Sequence, residues 1–110
     1  MKIRVLPSAK ADLRKGLRFY EQQEAGLGAY FLDSLSSDID SLQITAGIHP
    51  RREDQYRCRS VRFPYWIYYR IEGHTAFVTA VLDARLEPWK ILERERTEQG
   101  SAGHPPPTDP

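Results

Sequence analysis

A single cysteine, Cys58, rules out an intrachain disulfide in this chain of 110 residues. That length fits one domain, which buries roughly two-thirds of its unfolded surface and needs no covalent staple. Long apolar runs are missing too: nothing approaches the roughly 20 residues that a membrane-spanning helix requires. The three histidines, His49, His74 and His104, stand far apart in the chain and show no metal-ligand spacing, so no metal or cofactor is expected. There is no glycine-rich phosphate cradle, because Gly26-x-Gly28 follows a helical stretch rather than a strand. Charge of one sign is scarce, 16 Lys/Arg against 15 Asp/Glu. That balance removes the overall electrostatic case for a nucleic-acid or membrane binder and leaves only local patches open. The stretch Met1–Pro7 holds too short an apolar segment for a secretory signal, and the expected location is the cytosol.

What is present falls into a body and a tail. From Thr97 to Pro110 the only apolar residue besides glycine and proline is Ala102. Such a segment cannot repay the entropy of ordering, so 1–96 is expected to be one domain and 97–110 a disordered, proline-rich tail. Lys2-Ile3-Arg4-Val5-Leu6 alternates as a first strand, stopped by Pro7, with Ser8 placed to cap a helix. Leu13, Leu17 and Tyr20 make one helical stripe; Leu27, Phe31, Leu35, Ile39 and Leu42 make a second and stronger one. Gly16 weakens the first helix by about 1 kcal/mol relative to alanine, which implies a close approach there. Gly47 and Pro50 stop the second helix.

Three runs rich in β-branched and aromatic residues follow, Gln55 to Phe63, Tyr65 to Glu72 and His74 to Leu82. Pro64 marks a bend, and Glu72-Gly73-His74 a hairpin connection. The fold class is therefore α+β, in the order β-α-α-β-β-β, with an N-terminal αα-hairpin packed on a mainly antiparallel twisted sheet. Pro88 to Arg96 has helical character suited to docking.

Several words of the sequence carry a family resemblance: Asp12-Leu13, Phe19-Tyr20-Glu21, Gly26-Leu27-Gly28, Phe31-Leu32, Phe63-Pro64-Tyr65, Ile67-Tyr68-Tyr69 and Arg85…Pro88-Trp89. In this order, from about Ile3 to Trp89, the chain resembles the RelE/ParE toxins of bacterial toxin–antitoxin modules, in particular the ParE-like, plasmid-stabilisation branch. The resemblance implies a cognate antitoxin as partner. It also implies a target, either DNA gyrase, as in ParE-like members, or ribosome-bound mRNA, as in RelE-like ones. A second copy is a further candidate partner when the antitoxin is absent.

Six arginines lie between Arg51 and Arg70 (Arg51, Arg52, Arg57, Arg59, Arg62 and Arg70) against two acids, Glu53 and Asp54. Their planar forks suit phosphates or carboxylates; a solvated strand face that deters edge aggregation reads equally well from the residues alone. Arg57, Arg59, Arg62, Trp66 and Arg85 are the candidates for binding the target or the antitoxin. Arg85, Arg62 and Tyr68 are the candidates for any phosphodiester chemistry. ParE-like members commonly show His-x-Arg-Arg-Asp-Pro near the end of the domain; here Asp83 replaces the His, Arg85 is kept, Leu86 replaces the second Arg and Glu87 the Asp. RelE-like nucleases place an arginine where this chain has Trp66, and a C-terminal Tyr or His that is missing before His104. A ribonuclease must activate the ribose hydroxyl as well as stabilise phosphate charge, so the expected mode of action is binding rather than catalysis. Within Tyr65–Glu72, Tyr65 and Tyr69 are expected in the core. Trp66 and Tyr68 lie on the other face, to meet a partner or to be covered by the stretch around Trp89, Ile91 and Leu92. Cys58 reads as a buried structural thiol despite its arginine neighbours.

Overall fold

The computed structural model describes residues 1–85. The tail expected at 97–110 and the helical stretch expected at 88–96 lie outside the described residues.

The first strand, β1 (Lys2–Val5), sends Ile3 and Val5 into the core and leaves Lys2 and Arg4 exposed. Pro7 then opens α1 (Pro7–Gln23), where its fixed φ and missing N–H suit the first helical position. The cap is not Ser8, as expected, but Leu6, whose carbonyl accepts the first helical bond, from Lys10 N–H. Ser8 is turned to the sheet instead, its hydroxyl donating to the Thr79 carbonyl at 2.7 Å. α1 buries Ala9, Leu13 and Gly16. A methyl group on Gly16 would lie 2.5 Å from the Phe31 ring, which is the close approach the glycine implied.

The turn to α2 (Leu27–Asp40) needs Gly26 at φ +89°. No side chain at Gly26 itself caps α2. Glu21, one turn from the end of α1, reaches across, and its carboxylate accepts from Gly26 N–H at 3.0 Å and Gly28 N–H at 2.9 Å. An anion is thereby set at the positive end of α2. Phe31, Leu35 and Ile39 are buried as their spacing predicts. The helix breaks at Ser41 rather than running to Leu42, which begins a single-turn α3 (Leu42–Thr45).

The sheet adds β2 (Arg51–Arg52), β3 (Gln55–Arg59), β4 (Tyr65–Glu72) and β5 (Thr75–Asp83) in the order β1-β5-β4-β3-β2. β1 runs parallel to β5; every other pairing is antiparallel. Two expectations are corrected here. The run drawn from Gln55 to Phe63 stops as strand at Arg59. A two-residue β2, absent from the expected order, pairs with it across a Glu53-Asp54 turn in which Glu53 takes φ +57°. Residues 60–64 form a loop: Ser60 N–H donates to Tyr65 carbonyl, and Asp38 of α2 accepts from Ser60 hydroxyl at 2.7 Å and Val61 N–H at 3.2 Å.

Between β4 and β5 the register shifts. Tyr68 pairs with Ala80 but Tyr69 with Val78, leaving Thr79 as the extra residue of a β-bulge. The bulge switches the side-chain parity of β5, so that Ala76, Val78 and Val81 all face the helices. The main core lies between that face and the αα-hairpin, with Tyr65, Ile67 and Tyr69 contributed by β4. A smaller cluster of Tyr68 and Ala80, edged by Trp66 and Leu82, sits on the other face.

At one end of the core Tyr69 ties down the segment after α3. Its hydroxyl accepts from Gly47 N–H at 2.9 Å and meets His49 Nδ1 at 2.6 Å. Burial pushes His49 below its ordinary pKa. The folded state thus binds fewer protons at His49 than the unfolded chain. Stability is fully present above about pH 6.5, the unfolded value, and falls as pH drops from there through the lower folded pKa. We expect the thermal midpoint to decline from pH 7 to pH 5, and His49→Gln to flatten that part of the profile. An unchanged profile in the variant would contradict the assignment.

Candidate functional site

β3, β4 and β5 place alternate residues on the face away from the helices, and cross-strand register aligns them into rows. One row reads Arg59, Trp66, Leu82; the next reads Arg57, Tyr68, Ala80. Beyond the bulge a third row reads Arg70, Phe77, Arg4, with Arg4 supplied by β1. The guanidinium of Arg57 lies 4.2 Å from the Trp66 ring centroid and that of Arg59 5.4 Å, so one indole meets two cations. Arg70 lies 5.1 Å from the Phe77 ring and donates from Nε to Glu72 at 2.8 Å. Lys2, beside Thr75, adds a further cation to this face. Ring contacts hold the guanidiniums of this face, with Arg57 also acting on the Tyr68 phenol and Arg70 on Glu72.

Of the residues singled out in the sequence, Arg57, Arg59 and Trp66 come together on this face. Tyr68 joins them but is 1% exposed. Burial pushes its phenol up, against the opposing hydrogen bond and charge of Arg57, so it keeps its proton at neutral pH. Arg62 stands apart, exposed in the 60–64 loop. Arg85 is elsewhere again, past the end of β5 and near Tyr20 and Tyr65 of the helix-side core.

Arg85 is gripped by Asp83. Its backbone N–H and Nε donate to Oδ1, both at 2.9 Å, and Nη2 to Oδ2 at 2.6 Å. This fork holds the Asp83 carboxyl below its usual range and raises Arg85 further. Asp83, which stands where the resemblance implies a histidine, is here an anchor for Arg85. The neighbouring phenols are poor proton acceptors as well: burial raises Tyr20, and Tyr65 is pushed up to about 12, chiefly by burial. His74 is exposed at the β4–β5 turn, and His49 is bonded to Tyr69. No described histidine lies with the candidate arginines.

Cys58 faces the core side, opposite Arg57 and Arg59, and its thiol is pushed up by burial and by the Asp38 carboxylate. It is a half-buried packing residue rather than a fully buried one. Sequence reasoning passed over Lys2, Arg4 and Phe77. The signal for the first two was present, since Ile3 and Val5 on the core side put both cations on the other. Phe77 needed the bulge. Among the described residues no cluster of His, Cys, Asp and Glu is arranged to hold a metal ion, and no helix is long and apolar enough to cross a membrane.

Two helices on one face of a mixed five-stranded sheet is the architecture of the small α+β toxins that the sequence resembled. Residues 3–87 match the family model described as ParE toxin of type II toxin–antitoxin system, parDE, and the chain belongs to that family. Its fold is similar to a solved structure described as the chromosomal ParDE TA system from P. aeruginosa, with a TM-score of 0.70 at 16% identity, covering 76% of this chain and 95% of that one. No curated protein matches the chain.

Proposed function

We propose that this member of the ParE toxin family acts by docking on its target through Arg57, Arg59 and Trp66, without chemistry of its own. A cognate antitoxin neutralises it. The observation that carries this reading is the pair of guanidiniums on one indole, set against an Arg85 locked by Asp83 with no histidine beside it among the described residues. DNA gyrase is the proposed target and the cytosol the proposed location, with residues 1–96 as the toxin domain. The antitoxin is proposed to cover the αα-hairpin, where Phe19 and Tyr30 remain about half exposed. Arg62 and Arg85 belong to that side of the reading.

Induced expression of the full chain should arrest growth, and the purified protein should inhibit gyrase supercoiling. Central aromatic and arginine anchors cost about 2 kcal/mol or more when truncated, roughly a 30-fold loss in affinity. Arg57→Ala/Arg59→Ala should therefore relieve arrest at matched expression, whereas Arg14→Ala on the exposed helix face should not. Codon-dependent cuts in mRNA added to a translating system would replace this reading with the RelE-type nuclease. Growth without arrest and without gyrase inhibition would leave a non-toxic relative that serves as an interaction domain.

A further inference from the structure

We propose that the helix-free face of the sheet is a docking platform for single-stranded nucleic acid. This goes beyond the docking reading: it shares that reading's face but not its target. Five cations from three strands share the face: Lys2, Arg4, Arg57, Arg59 and Arg70, with Glu72 bound to Arg70. In a chain whose formal charge is +1, that is a concentrated local excess. Lys2, Arg4 and Arg59 are exposed to solvent.

The rings decide between polyanions. Arg57 and Arg59 lie over Trp66, and Arg70 over Phe77. A guanidinium laid against a ring offers its outer plane to an unpaired base and its edge to a phosphate. An acidic peptide would use the edges and leave the planes idle. Arg57 and Arg59 are two residues apart on an extended strand, about 6.8 Å, so adjacent cations can follow a backbone along β3. Duplex DNA fits poorly. Four strands about 4.8 Å apart span about 14 Å before side chains are counted, wider than the major groove of about 12 Å. Unpaired bases are also what stacking platforms need.

The test uses the full chain with a fluorescent dodecamer of deoxythymidine, its duplex with deoxyadenosine, and poly-glutamate as competitor. Single-strand affinity falls with salt at a slope of about −0.7 per phosphate neutralised, so four contacts give roughly −3. Arg4→Ala/Arg59→Ala should flatten the slope by about 1.4 and weaken binding at least tenfold, with the far-ultraviolet spectrum retained. Arg14→Ala/Arg18→Ala, removing the same charge from α1, should change neither. In a Trp89→Phe background, oligonucleotide should quench Trp66 emission. Equal losses from both charge pairs, tighter binding to the duplex, poly-glutamate winning at equal charge, or no binding at 50 mM salt would each overturn the proposal. Binding without growth arrest would sink the toxin reading alone; arrest without binding would sink this one alone.

Discussion

Replacing Phe31 with alanine is expected to remove about 3–5 kcal/mol of folding stability, the range for a large aromatic deleted from a core. The ring is fully buried. It stacks on Tyr20 at 5.1 Å between centroids and meets Phe63 at 5.1 Å and Tyr65 at 5.0 Å. It touches α1, the 60–64 loop and β4 together. At roughly 4–8 °C per kcal/mol for a domain of this size, the thermal midpoint should fall by more than about 12 °C. The same pocket fixes the sign of a smaller change. Gly16→Ala would gain about 1 kcal/mol in helix propensity, but its methyl would sit 2.5 Å from Phe31 Cζ. A ring held on three sides cannot give way, so overpacking of about 1–3 kcal/mol outweighs the gain. With Phe31 gone the clash goes as well, and Gly16→Ala should then stabilise the Phe31→Ala background. Additive losses in the double variant would show that the two sites are not coupled.

That pocket was half legible in the sequence. Phe31 stood in the stronger helical stripe, and Gly16 in mid-helix signalled a close neighbour, but nothing local said that each was the other's neighbour. The same limit recurs along the chain. Alternation in Tyr65–Glu72 placed Tyr65, Ile67 and Tyr69 in the core because one strand face must be buried, and they are there. Alternation fails in Thr75–Asp83, because a bulge at Thr79 resets the parity and no turn residue announces it. Glu21 looked like surface charge, yet it caps a helix whose own N-cap glycine has no side chain to offer. Ser8 looked like a cap, yet it serves a strand 71 residues away. Polar side chains are assigned by whichever backbone group would otherwise lack a partner, and that group is known only once the chain has closed on itself.

The candidate site divides the same way. The grouping of Arg57, Arg59 and Trp66 followed from strand period and pairing. The third row, Arg70, Phe77 and Arg4, depended on a parallel β1–β5 pairing and on the bulge, both long-range. Asp83 was legible as a departure from the family pattern. Its role as the anchor of Arg85 is a matter of geometry, because two residues apart at a strand end the carboxylate can accept the whole guanidinium fork. The consequence is an arginine whose charge is already met, which is why the docking reading places target recognition on the opposite face.

Asp12→Ala should show how much of that face depends on α1. β1 covers the edge of β5 only as far as Val78, where Leu6 N–H donates to the Val78 carbonyl at 3.0 Å. Past that point the strand edge would be bare. Asp12 Oδ2 accepts from Val81 N–H at 3.0 Å, just as Ser8 satisfies Thr79. Val81 is 1% exposed, so water does not readily replace the lost acceptor. An orphaned buried N–H costs about 1–3 kcal/mol, and bonds to a charged acceptor lie toward the upper end. Asp12→Asn keeps an acceptor oxygen in place and should recover more than half of the loss, while Ser8→Ala should cost about 1 kcal/mol. Amide exchange at Val81 should accelerate in Asp12→Ala beyond what the global loss of stability accounts for, because opening begins at the uncovered edge. The bulge sets the parity of β5, so loosening it also frees Phe77 from its place between Arg4 and Arg70. Wild-type exchange and an unmoved thermal midpoint in Asp12→Ala would mean that the helix rests on the sheet without holding it.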